Sequence, residues 1–213
     1  MNIAEWIDKN GLVKPQSHWQ DSGNGVLYSA ILLILSAFKI KFEGWNSIET
    51  AMQKCLRGGL LFRSPDNVYQ EQWDNHLGLA AYSFFSGDTK TARAVIWYGI
   101  THFGFFDTDG VLEFKDNLFR FPQIWVLYTI AAFPKFKWIF YPWAWIVSLF
   151  MKPDRIDASG TQLAWLYLYT VRNVYGVGFE KKYTDVLLQF HENVGEYYGA
   201  GHPTVELVNG LTA

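Results

Sequence analysis

Cysteine is almost missing from this chain. Cys55 is the only one in 213 residues, so no internal disulfide can form. That excludes a disulfide-stapled scaffold and suits a reducing compartment. Charge is scarce as well: charged residues make up 18% of the sequence and the net charge is -2. No basic stripe able to neutralise phosphates is present, so nucleic acid is not an expected partner. The chain has no GxxxxGK[ST] or GxGxxG loop, no GxSxG elbow, no HExxH pair and no Cys/His framework. His18 with Asp21, or His76 with Asp74, offers at most a fragment of a ligand set, so neither a metal nor a cofactor is expected. The opening residues MNIAEWIDKNGLV include Glu5 and Asp8 and lack the basic-then-apolar order of a secretory signal.

A hydrophobic run long enough to cross a membrane is also lacking. Between Arg120 and Lys152 the only charges are Lys135 and Lys137. Pro134 and those two lysines divide residues 121–151 into arms of about a dozen residues, whereas a span needs about 20. The expectation is a buried helical hairpin rather than a membrane element.

What the chain does have is aromatic side chains, at 18% of the residues with ten Trp, in a composition that is half hydrophobic. This is enough for a sizeable core in one domain covering 1–213. Helical periodicity and punctuation recur, without a convincing alternating strand pattern. A short amphipathic segment at 3–9 and a loop at 10–24 precede Asn24, an N-cap candidate for the apolar VLYSAILLILSAF. After Gly44, Asn46 or Ser47 is the expected cap of a helix with Ile48, Met52, Cys55 and Leu56 on one face, ended by Gly58-Gly59. Further helices are predicted at about 68–85, 89–101, 122–133, 138–150, 159–172 and 180–198. Residues 103–116 read as a loop, and the tail GHPTVELVNGLTA carries a weak order signal. The predicted fold is all-α: antiparallel helix hairpins in an incomplete or compact α/α toroid-like array.

Polar residues gather at helix starts. The densest group lies within LLFRSPDNVYQEQWDNHLGLAAYSFF (60–85), ahead of a small-residue apolar helix. If alternate loops meet at one end of the array, Trp19, Asp21, Asn24, Arg63, Gln72, Trp73, Asp74, Asn75, His76, Tyr98, His102 and Arg120 would line a shared pocket. Gln72 and His76 share a helix face, while Asp74, Gly78 and Ala81 share a neighbouring one suited to close helix approach. A carboxylate there needs Arg63, Arg120 or other hydrogen bonds. Each residue also has a structural reading: Asp21 and Asn24 as caps, His76 as a core histidine, Tyr98 and His102 as helix-end packing, Arg63 and Arg120 as bridges, and Trp73 as core.

The segments GNGVLYSA (23–30), CLRGGLLFRSPDN (55–67), QWDNHLGLAAYS (72–83), IWYGITH (96–102) and FRFPQIW (119–125) resemble a recurring pattern in uncharacterised proteins of tailed bacteriophages and prophages. The residue types also resemble those of helical-toroid carbohydrate enzymes, where Asn and Arg neutralise a uronate while His or Tyr moves protons. The first resemblance implies a place in the host cytoplasm or on the virion. The second implies a lyase or hydrolase acting on a glycan or cell-wall polymer. His76 and Tyr98 would then exchange protons, with Arg63, Asn75 and Asn24 on anionic oxygen, and Gln72, His102 and Arg120 lining the cleft. Trp19 and Trp73 would stack on sugar. A glycosidase version would use Asp21 and Asp74 as its carboxylate pair. The alternative is a non-catalytic virion structural or assembly protein, with virion or homo-oligomeric partners and the aromatic 121–151 segment as its binding surface.

Overall fold

The computed structural model describes residues 3–18, 24–37, 44–62, 64–66, 73–104, 117, 120–152 and 158–212. The fold is all-α. The described helices are α1 (Gly25–Ala37), α2 (Trp45–Cys55), α3 (Trp73–Ser86), α4 (Thr89–Thr101), α5 (Pro122–Ala132), α6 (Tyr141–Phe150), α7 (Ala158–Tyr175), α8 (Glu180–Tyr197) and α9 (Pro203–Thr212). A 3-10 stretch, Pro134–Phe140, joins α5 to α6.

Local chemistry explains most boundaries. Asp88 accepts the N–H of Thr91 at 3.0 Å and starts α4. Pro122 occupies the first turn of α5, where its missing N–H costs nothing. The start of α2 differs from expectation. Gly44, not Asn46 or Ser47, stands at the cap position, at φ 94° and without a side-chain cap. A left-handed backbone there suits glycine, and it draws Trp45 into the helix and the core. The Gly58-Gly59 pair does more than end α2. It turns a two-residue hairpin, β1 (Leu56–Arg57) against β2 (Leu60–Leu61), too short to leave an alternating signature in the sequence.

Helix directions follow from the cross-contacts. Gly78 of α3 meets both Leu27 and Ala30 of α1, and Asn75 meets Leu27, so α1 and α3 run parallel. Trp73 stacks on Phe121 and His76 reaches Tyr128, so α5 runs with them. Arg93 bonds the Ala132 carbonyl while Gly99 faces Trp125, so α4 runs the other way. Pairs 165–190 and 172–180 make α8 antiparallel to α7. This alternation is what short helix–turn–helix connections impose. However, α3 sits between α1, α5 and α7, and all of Asp74–Ser83 is buried. A ring closing around a hollow axis is not seen among the described residues.

One continuous apolar cluster reaches from Ile3 to Val208. The chain's end belongs to it: α9 packs on α1 and α8, and His202 is fully buried just before Pro203. The 121–151 segment divides differently from the expected buried hairpin. Arm α5 is buried, with Ile124, Leu127, Tyr128 and Ile130 shielded from water. The second arm, 134–150, buries only Ala144, Val147 and Ser148. Among the described residues no helix is long and apolar enough to cross a membrane.

Candidate functional site

The predicted site residues at the start of α3 form three contact groups. Asn24, Asp74 and Asn75 make the first. The Asn75 side-chain oxygen accepts the N–H of Leu27 at 2.8 Å. The Asn24 carboxamide donates to Asp74 at 3.0 Å, and that of Asn75 reaches Asn24 at 3.4 Å. The Asn24 carbonyl accepts the N–H of Tyr28, so Asn24 does stand at the cap position of α1. Its side chain faces Asp74, and the N–H of Leu27 is met by α3 instead. Buried N–H groups at a helix start need such partners, and a carboxylate suits the positive ends of two parallel helices. Among the described residues Asp74 accepts a hydrogen bond from Asn24, one of the two kinds of partner expected for a buried carboxylate here, and Arg63 lies outside the described residues.

His76 forms the second group, with Tyr128 of α5. The imidazole Nδ1 lies 3.1 Å from the Tyr128 hydroxyl, and the rings meet edge to face. Only 1% of His76 is exposed. Burial lowers its pKa to about 3, and burial raises that of Tyr128 well above the usual phenol range. Both groups are neutral at pH 7 and shielded from solvent. A general base operates best with a pKa near the working pH and within reach of substrate. Neither condition is met here.

Trp73, Phe121 and Arg120 form the third group. The Trp73 and Phe121 rings stack at 4.9 Å and 8°, with the Arg120 guanidinium 5.6 Å from the Phe121 centroid. This joins the starts of α3 and α5 and uses one face of Trp73 internally.

Tyr98 and His102 lie apart, at the end of α4. Their rings stack at 3.9 Å, and His102 Nδ1 sits 2.9 Å from the Tyr98 carbonyl, a helix-end arrangement. The Tyr98 side chain also packs against Gly59 of the hairpin turn. Trp19, Asp21, Arg63 and Gln72 lie outside the described residues.

Two of the cavities are lined by described residues, and none of these groups is among their lining. One, of about 480 Å³, is lined by Lys9, Asn46, Thr50, Lys54 and Asp66 among others. The second, of about 410 Å³, lies between α5 and α6 and is lined by Pro122, Trp125, Val126, Thr129, Phe140, Trp143 and Val147. It opens beside a cluster of exposed apolar side chains. Trp138, Ile139, Trp143 and Phe150 are each at least 60% exposed, and Phe136, Trp145, Ile146 and Leu149 are also open to solvent. Trp97 and Ile100 on α4, and Phe103 just after it, are exposed too. Trp125 links the two sets, lying over Gly99 of α4 and lining the cavity with Trp143 of α6.

No group of His, Cys, Asp and Glu able to hold a metal occurs among the described residues. Comparison with known proteins finds no matching family, no similar curated protein and no similar solved structure.

Tyr128 and His202 were not singled out from the sequence. Tyr128 left no signal, because its partner lies 52 positions away. His202 left one: a polar residue directly before Pro203, as at a helix start.

Proposed function

We propose that this chain is a non-catalytic docking or assembly component that attaches through the aromatic surface of residues 134–150. One observation carries the reading. Helix α6 is apolar on every side, YPWAWIVSLF, yet only one side is packed in the core. A helix hydrophobic all round belongs in surroundings without water on any face. Patches of this kind on soluble proteins mark interaction sites. Covering one exposed Ile, Leu or Phe contributes about 1.5–3 kcal/mol, and several lie together here. The phage-like sequence pattern fits a virion or assembly setting for such a component.

The glycan-enzyme reading has less support. The hydrogen bonds of Asn24, Asp74 and Asn75 among the described residues run between them and to α1. His76 is sealed against Tyr128, while Tyr98 and His102 sit on another helix end.

The test uses Trp143→Ser/Phe150→Ser in the full chain. Both side chains are largely exposed, so circular dichroism and melting temperature stay near wild type. Wild-type protein adsorbs to apolar surfaces and the variant does not. Turnover of a glycan by the wild-type chain, unchanged in the variant, would overturn the reading.

A further inference from the structure

The outward residues of α6 are Pro142, Trp143, Trp145, Ile146, Leu149 and Phe150, which cover about 160° of the helix without one polar side chain. Cations flank this strip. Lys135 and Lys137 precede it and Lys152 follows it. The Lys182 amine, brought in from α8, donates to the Ser148 carbonyl at 2.6 Å. Residues 121–152 contain no Asp or Glu. Glu180, at the neighbouring start of α8, is held by Arg172 at 2.6 Å. The strip is therefore apolar and aromatic along its length, with Lys135 exposed before it and Lys152 exposed after it, and Lys152 is followed in the sequence by Asp154, Arg155 and Asp157.

We propose that this face docks on an anionic lipid surface, with α6 lying in the plane of the bilayer and its aromatic side chains at the headgroup–acyl boundary. The inference rests on the docking reading above and names the partner. Length argues for lying rather than crossing. Ten residues of α-helix reach about 15 Å, half the hydrocarbon thickness. Chemistry argues for the interface: Trp and Tyr rings favour the headgroup level, where an apolar body and a polar edge are both satisfied. Lysines beside an apolar helix face match the anionic headgroups of a bilayer.

Vesicle co-sedimentation of the full chain tests this. Vesicles of pure phosphatidylcholine are compared with vesicles of phosphatidylcholine and phosphatidylglycerol in equal parts. Wild type pellets with the anionic vesicles, and its tryptophan emission shifts to the blue. Lys135→Gln/Lys152→Gln keeps every aromatic contact and weakens binding by roughly fivefold per lysine. Trp143→Ser/Phe150→Ser abolishes binding while retaining the wild-type circular dichroism spectrum. Equal binding to both vesicle types, or binding unchanged in the lysine variant, overturns the proposal. So does concentration-dependent self-association without vesicle binding, if Trp143→Ser/Phe150→Ser removes it; the docking reading then stands. Neither vesicle binding nor self-association overturns both.

Discussion

The Asn75 side-chain oxygen holds the N–H of Leu27 at 2.8 Å, so the first turn of α3 caps the first turn of α1 across 48 positions of sequence. This contact decides how the densest polar stretch of the chain is used. Replacing Asn75 by Ala leaves a buried N–H without its acceptor and costs about 1–3 kcal/mol. Asn75 is fully buried, so water cannot substitute. Urea unfolding of N75A against wild type measures the loss. A change within error would mean that the contact is dispensable.

The same helix pair supplies a steric prediction. A Cβ on Gly78 would lie 2.8 Å from the Leu27 Cα, a backbone atom that no rotamer change can move. Gly78→Ala therefore forces α1 and α3 apart, although alanine is the better helix former by about 1 kcal/mol. Net destabilisation of about 1–3 kcal/mol is expected from overpacking. Gly195 of α8 has no heavy atom within 4 Å of such a Cβ, so Gly195→Ala is stabilising or neutral. Thermal denaturation of the two variants should give shifts of opposite sign or very different size.

How much of this was legible beforehand varies by residue. The periodicity that placed α1, α4 and α5 is local, and so is the cap position at Asn24 that marks the start of α1. The small residues of α3 marked a tight helix contact, and Gly78 makes one. The use of the polar residues was not legible, because it depends on partners far away. Nothing near His76 announces Tyr128, and nothing near Asn75 announces Leu27. Residues suited to a pocket lip are equally suited to tying helix ends together, and sequence spacing cannot separate these roles. The α6 exposure was hidden for a similar reason: a uniformly apolar helix reads as core until its neighbours are known.

Acid sensitivity follows from two buried histidines. Burial lowers His76 to about 3 and His202 to about 4, the latter despite its bond to the Lys14 carbonyl. His202 Nδ1 accepts the N–H of Thr204 at 3.1 Å and its Nε2 donates to Lys14, so the neutral ring caps α9. Trp6 and Tyr198 pack against it. Below the unfolded value of 6.5 the unfolded chain takes up protons that the folded chain refuses. Stability is complete above that pH and falls as the pH drops toward the folded values, by on the order of 1.4 kcal/mol per unit for each histidine. His202→Asn keeps a capping oxygen and removes one titration. Its stability between about pH 6 and pH 4.5 should fall with roughly half the wild-type slope, read by denaturant unfolding across that range. An unchanged slope would show that His202 does not titrate on unfolding.

Sedimentation velocity most directly tests the claim that the α6 aromatic face, and not the polar start of α3, is the working surface. Wild type and Trp143→Ser/Phe150→Ser are each run alone and with phosphatidylglycerol-containing vesicles. The account predicts that wild type leaves its 24.6 kDa position when vesicles are added and that the variant stays there in both runs. Identical profiles in all four runs, with wild type monomeric throughout, would contradict it.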